Sequence, residues 1–265
     1  MSGLEALILG ILQGVAEYLP ISSSGHIELG KAILGVQPSA VSGATFSVVL
    51  HFGTVLSTLV VFWKDIVLIF KGLFQFKRKE EWNFAFKIVL SMLPAAVVGF
   101  TLESEIETLF AGDILLVGAM LVFTGCLLFA ADFAKETNRE VNYKDAFLIG
   151  LAQMIAILPG VSRSGATIST SVLLRIDKSK AARFSFLMVI PLIIGKVAKD
   201  LSSGAIRLNA AEASPLLIGF LASFVVGIGA CHMMLGLVKR GKLVYFSMYC
   251  FIVGWVAVIY HFATS

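Results

Sequence analysis

Apolar residues fill this chain in long runs that show no period of two, and polar residues gather in the stretches between them. Six runs, roughly 45–64, 84–102, 113–131, 181–200, 215–238 and 244–263, are long enough to cross a bilayer core of about 30 Å, which takes about 20 helical residues. Only helices and closed barrels satisfy their backbone in lipid, and barrel strands alternate apolar with polar positions, so the pattern predicts helices. Two further apolar pieces, 4–35 and 146–174, are interrupted midway by Pro, Ser and Gly. A helix from Leu4 to Leu19 would reach about 24 Å, too short to cross, and Pro20 with the serines behind it would end it. Each piece therefore predicts a re-entrant helical hairpin. The expected fold is an all-α integral membrane protein with six transmembrane helices and two such hairpins.

Laying the chain on itself with an offset of 140 pairs Glu5 with Asp145, Ala6 with Ala146, Gly10 with Gly150, Gln13 with Gln153 and Ala16 with Ala156. The same offset pairs Ser22, Ser24 and Gly25 with Ser162, Ser164 and Gly165. This reads as an internal duplication within a single membrane domain, 1–265. Repeat one covers about 1–112 with hairpin 4–35, repeat two about 145–265 with hairpin 146–174, and helix 113–131 links them. Lys64, Lys71, Lys77, Arg78, Lys79 and Lys87 crowd one connection, whereas "ESEIETLFAGD" carries acids and no base. The positive-inside rule places the first inside and the second outside. Arg175, Lys178, Lys180 and Arg183, and the turn "KRGK" at 239–242, then also fall inside. The first hairpin enters from outside and the second from inside, so the repeats are expected to be inverted. Inverted repeats place their broken backbone near the midplane, where "PISSSGH" and "PGVSRSG" would meet.

Composition agrees with this picture: 58% of the 265 residues are hydrophobic and 14% charged, with a mean hydropathy of +0.91, beyond what a soluble core requires. The net charge of +4 sits in connections between apolar runs, which reflects topology rather than a nucleic-acid partner. Cys126, Cys231 and Cys250 lie inside apolar runs without metal-ligand spacing and read as buried packing thiols. The first apolar stretch has the length of a signal sequence but is preceded by no Lys or Arg and includes Glu5, so it is expected to stay in the mature protein.

The chemistry concentrates at the two breaks. Glu17 and Arg163 are ionisable groups at membrane depth, costing about 2.5 to 3.5 kcal/mol each on insertion scales, so each needs a partner, a ligand or a wet cavity. Gln13 and Glu17 are one turn apart on one helix face, where their oxygens could converge on a hard cation. Ser22, Ser23, Ser24 and Gly25 stand at the start of a returning helix, as do Ser162, Ser164, Gly165 and Thr167 after Gly160. Free N–H groups and the helix dipole attract anions there. Arg163 adds a planar fork suited to phosphate oxygens. Two such cradles, with Gln153 at the position matching Gln13, suit a diphosphate. Ser23 near His26 and Glu17 has the parts of an activated nucleophile with its base. Simple N-capping by the serines, a structural Glu17–Arg163 ion pair and an interhelical hydrogen bond for His26 stand beside these readings. His51, Lys196, Lys199 and Asp200, in or near spanning helices, are assigned to snorkelling or local pairing.

At "QGVAEYLPISSSGH" and "PGVSRSGAT" the chain resembles the undecaprenyl-diphosphate phosphatase family, the bacitracin-resistance type of bacterial membrane phosphatase, over essentially its whole length. The resemblance implies hydrolysis of undecaprenyl diphosphate to the monophosphate and phosphate, recycling the lipid carrier of cell-wall synthesis. It implies a divalent cation, Mg2+ or Ca2+, with Glu17 and Gln13 as the metal positions. Gln13 stands where some members carry Glu, which weakens a two-carboxylate metal site. Ser23 matches the nucleophile, His26 its neighbouring base or acid, Glu17 the second acidic position and Arg163 the phosphate-binding arginine. Attack by Ser23 and direct attack by water use the same residues. The resemblance further implies a polyprenyl diphosphate substrate, surrounding membrane lipid, a homodimer and a site open to the external, periplasmic side of the bacterial inner membrane. The competing class is a transporter or flippase of the lipid phosphate, which would need the cradles and Arg163 but no nucleophile.

Overall fold

The computed structural model describes residues 1–36, 43–75, 79–102, 105, 106, 108, 113–135, 137–202 and 213–264, without the side chains of 43, 44, 75, 196, 200 and 201. Eleven helices run through them: α1 Gly3–Ala16, α2 Ser23–Leu34, α3 Gly43–Val61, α4 Trp63–Gln75, α5 Lys79–Thr101, α6 Ile114–Asp132, α7 Tyr143–Ile155, α8 Arg163–Leu173, α9 Lys178–Ser202, α10 Ala213–Lys239 and α11 Val244–Thr264. Five of them, α5, α6, α9, α10 and α11, are long and apolar enough to cross a membrane, and α3 with α4 makes a sixth candidate. This is an all-α integral membrane protein.

Both expected hairpins are present as short helix pairs, α1–α2 and α7–α8. At 14 residues, α1 is about 21 Å long and does not cross. Each pair begins alike. Ser2 caps α1 and Glu5 closes the box by accepting the Ser2 N–H at 2.8 Å. Asn142 and Asp145, at the same offset, do so for α7. Such boxes satisfy two of the N–H groups a helix start leaves unpaired.

One expectation needs correcting. The run 45–64 is not a straight span: α3 ends at Val61, and α4 departs at 76°. The expected connection 64–87 is accordingly helical over most of its length, because the apolar positions of α4 (Ile66, Ile69) pack against the core while its lysines face outward. Asp65 on α4 takes Arg183 of α9 at 2.7 Å, and the turn at Gly241 lies against Lys178. The three basic segments thus meet at one end of the molecule. Most of "ESEIETLFAGD" and the side chains of Lys196 and Asp200 lie outside the described residues.

The helices pack where side chains vanish. A Cβ on Gly10 of α1 would stand 2.6 Å from the Gly219 carbonyl oxygen of α10. One on Gly118 of α6 would stand 2.9 Å from the Gly254 carbonyl oxygen of α11. Backbones in lipid attract each other mainly by such close approach, since burial from lipid gains little. Cys231 and Cys250 are buried as expected, but Cys126 is exposed. Its neighbour Gly125 is the residue turned to α11, against Phe251, so Cys126 points some 100° away.

The linking helix α6 buttresses both breaks. Val117 lies beside Gly25 of one and Gly160 of the other, and Thr124 accepts the Ser162 N–H at 3.0 Å. From the other side, α3 holds the first break through Tyr18, whose hydroxyl donates to the Thr54 carbonyl at 2.5 Å and lies 2.9 Å from the Thr58 hydroxyl. A Gly254→Val substitution is expected to destabilise the fold by about 1–3 kcal/mol by prying α11 off α6, measurable as a lower melting temperature in detergent.

Candidate active site

The two breaks meet as expected, and Glu17 is the point of contact. It follows the last residue of α1 and is 7% exposed, against 17% for Arg163. Glu17 Oε1 accepts from Arg163 Nη2 at 2.5 Å. Its other oxygen, Oε2, accepts from Ser23 Oγ at 2.8 Å and from Gln13 Nε2 at 2.9 Å. The Ser164 hydroxyl donates to the Leu19 carbonyl at 3.2 Å, a second bond between the breaks. Arg163 Nη1 is buried and has no partner among the described residues. One arm of the guanidinium thus neutralises Glu17, and the other is a desolvated donor awaiting an acceptor, a state costly enough to call for a ligand.

The serines divide their work. Ser22 and Ser162 are caps: their hydroxyls accept from the Gly25 and Gly165 N–H groups at 3.2 and 3.0 Å, and both are buried. Ser22 takes φ +70, a left-handed conformation disfavoured for a residue with a side chain, held by this cap. Ser164 is buried too, whereas Ser23 and Ser24 are half-open. Of the three serines of the first break, Ser23 alone has its hydroxyl on Glu17, and Ser24 lies 3.3 Å from Ser22 Oγ. The N–H groups of Ser23, Ser24, Arg163 and Ser164 open their helices and have no helical acceptor.

His26 does not reach Ser23. Its Nδ1 lies 2.8 Å from the Ser22 carbonyl and its Nε2 2.8 Å from the Tyr249 hydroxyl of α11. A carbonyl only accepts, so Nδ1 carries the proton and Nε2 accepts from Tyr249. The ring turns back on the carbonyl one turn behind it, and the group that meets the Ser23 hydroxyl is Glu17. Other candidates also serve packing. Thr167 is fully buried, donating to the Arg163 carbonyl at 2.8 Å and lying 2.6 Å from Ser185 Oγ. A Cβ on Gly25 would meet Gly160 Cα at 3.2 Å, so these two and Gly165 let the breaks and α6 close together. Gly160 also needs its φ of +94, open to glycine without strain.

Gln13 turns its nitrogen to Glu17, so their oxygens do not converge on one point. Among the described residues no cluster of three or more His, Cys, Asp or Glu is arranged to hold a metal ion. The site therefore does not fit a cation held by Gln13 and Glu17 alone. Gln153 is buried, and neither of its amide atoms has a partner among the described residues. At the offset of 140, Glu17 corresponds to Ile157 and His51 to Pro191, neither of which offers an amide a partner. Tyr249 is a residue the sequence reading missed, whereas His51, assigned there to snorkelling or local pairing, is paired within the Glu17 cluster. A histidine within an apolar span was the available signal for His51; Tyr249 gave none.

Residues 6–256 match the family described as Bacitracin resistance protein BacA. The chain belongs to this family. Relatives named undecaprenyl-diphosphatase match it over nearly its whole length. That of Christiangramia forsetii is 57% identical over 259 residues, covering 98% of each chain. That of Bacteroides fragilis is 46% identical over 263 residues, again 98% of each. That of Methanosphaera stadtmanae is 35% identical over 279 residues, 97% of each. Within the BacA chain described here, the ion pair between the breaks makes a stability prediction. Glu17→Leu leaves Arg163 charged and nearly dry, at a cost of roughly 3–5 kcal/mol. Adding Arg163→Met should recover part of that loss, seen in a double-mutant cycle of melting temperatures.

Proposed function

We propose that this protein is an undecaprenyl-diphosphate phosphatase, hydrolysing the lipid diphosphate to undecaprenyl phosphate and inorganic phosphate and so conferring bacitracin resistance. The observation that carries the mechanism is the convergence on Glu17: a half-open serine hydroxyl on one oxygen, and on the other an arginine with one buried donor unspent. A carrier of lipid phosphate would need the arginine but not the serine against a carboxylate.

The diphosphate enters with its terminal phosphoryl group at Ser23. Arg163 Nη1 and the opening N–H groups of α2 and α8 take its oxygens, and they neutralise charge more strongly in this dry setting than in water. Ser23 Oγ attacks the terminal phosphorus in line, its proton passes to Glu17 Oε2, and the bond to the bridging oxygen breaks, releasing undecaprenyl phosphate. Water then attacks the phosphoserine phosphorus, the Oγ–P bond breaks as Glu17 returns its proton to Ser23 Oγ, and the proton of the attacking water leaves on the hydrogen phosphate. His26 holds the Ser22 carbonyl and with it the first turn of α2, keeping Ser23 in register. Mg2+ or Ca2+, if it accompanies the substrate, would neutralise part of the diphosphate charge, and Glu17 would be the carboxylate at the meeting of the breaks to face it.

The remaining parts of the reading are a bacterial inner-membrane location, a site open to the periplasmic side, two inverted repeats and a homodimer. The gathering of basic segments at one end supports the orientation, since that end would face the cytoplasm. The matching caps, breaks and offset of α1–α2 and α7–α8 support the duplication. Phosphate release from undecaprenyl diphosphate by the purified protein in detergent tests the proposal. Ser23→Ala and Arg163→Ala are each expected to lower kcat by about 10²-fold or more. Arg163→Lys is expected to recover little, because an ammonium cannot bind Glu17 and a phosphate oxygen through one planar fork. Wild-type protein that binds the lipid but releases no phosphate would sink the reading.

A further inference from the structure

The Glu17 cluster has a fourth member, supplied by α3. His51 Nδ1 lies 2.9 Å from Gln13 Nε2 and 3.3 Å from Glu17 Oε2. The amide nitrogen of Gln13 has two hydrogens and no lone pair to offer, so it donates one to Glu17 and one to His51. In the tautomer with its proton on Nε2, Nδ1 accepts this bond, and its 3.3 Å approach to Glu17 Oε2 is then a contact between two acceptors rather than a hydrogen bond. The nitrogen of Gln13 sits between two acceptors, and its orientation is set by both.

We infer that His51 is a positioning residue for the phosphatase reaction, holding the Gln13 amide and through it the oxygen of Glu17 that faces Ser23; the inference rests on the hydrolase reading above. Glu17 Oε1 is pinned by Arg163, which leaves the carboxylate one rotation about that anchor. Gln13 is the buried group that stops this rotation, and Ser23 depends on where Oε2 stops. With no acceptor at His51, the second N–H of Gln13 would be left buried and unpaired, and the amide would swing to find a partner. The depth of His51 is itself fixed. Thr54 donates to the His51 carbonyl at 2.8 Å, and the next carbonyl in that chain of contacts, that of Thr54, takes the Tyr18 hydroxyl at 2.5 Å. Tyr18 follows Glu17 directly, so one pair of neighbouring residues at the break carries both the carboxylate and the lock on the helix that orients it. The second half of the molecule shows the contrast: with Ile157 and Pro191 at the matching positions, Gln153 has no partner among the described residues.

The test is steady-state phosphate release from undecaprenyl diphosphate by four detergent-purified proteins: wild type, His51→Phe, His51→Asn and His51→Ala. Phe keeps a ring and removes the acceptor, and Asn restores a carbonyl oxygen near the place of Nδ1. Ala cannot overpack, and it stands in for Phe should that variant fail to fold. Phe or Ala is expected to lower kcat by about 10- to 100-fold, the scale of a carboxylate misplaced by about an ångström. KM should stay within about two-fold, because His51 is not asked to bind the ground state. Asn is expected to recover most of the lost kcat. A Gln13→Leu/His51→Ala double variant should be no slower than Gln13→Leu alone, since His51 acts through Gln13. The inference is overturned if Asn is as slow as Phe and Ala, if the loss appears in KM with kcat intact, or if the acceptor-free variants match wild type. Those outcomes leave the hydrolase reading standing. A wild type that releases no phosphate removes both.

Discussion

A carboxylate and a guanidinium nearly out of water must be neutralised where they stand, and here each is the other's partner. Glu17 comes from the break after α1 and Arg163 from the start of α8, 146 positions apart. An isolated charge at that depth would cost several kcal/mol, so neither break can sit at its depth unless the other arrives. The meeting of two broken helices is thus an electrostatic requirement as much as a packing preference. The arrangement of helices follows from it: α1 must lie close enough to α10, and α6 close enough to α11 and both breaks, for the pair to close. Glycines at those contacts remove the side chains that would hold the backbones apart.

The polar groups of the breaks are not interchangeable copies. Ser22 and Ser162 are spent on capping, which a buried helix start demands. Capping by Ser22 leaves the next residue, Ser23, on the first turn of α2 with its hydroxyl against Glu17. The structural role of one serine therefore creates the chemical opportunity of its neighbour. Arg163 shows the same division within one side chain: Nη2 makes the bond between the breaks, and Nη1 is buried with no acceptor among the described residues. The halves differ most in their carboxylate. The first has Glu17 and His51 about its buried glutamine, whereas the second has Ile157 and Pro191 at the matching positions.

Much of this was legible in the order of residues, for a physical reason. Lipid forbids unpaired backbone, so run length alone gives the spans, and Pro20, Gly160 and the serines mark where helices stop and restart. The cap residues follow from the same local logic. The bend between α3 and α4 was not legible, because an apolar run reads alike whether straight or broken. Cys126 was misplaced for a related reason: an almost uniformly apolar helix does not announce which face meets protein and which meets lipid.

The order of residues by itself determined that the chain is a helical membrane protein with two interrupted helices, and that Glu17, Ser23 and Arg163 stand at the interruptions. Tertiary structure alone decided which groups touch. Gln13 finds His51 across 38 positions and His26 finds Tyr249 across 223, partners that no spacing connects. Helix periodicity relates residues a turn or two apart. Contacts between helices depend instead on crossing angle, depth and rotation, set by the summed packing of the whole molecule, and that is why the carboxylate oxygen that accepts from the Ser23 hydroxyl became apparent only once α1, α2, α3 and α8 were assembled.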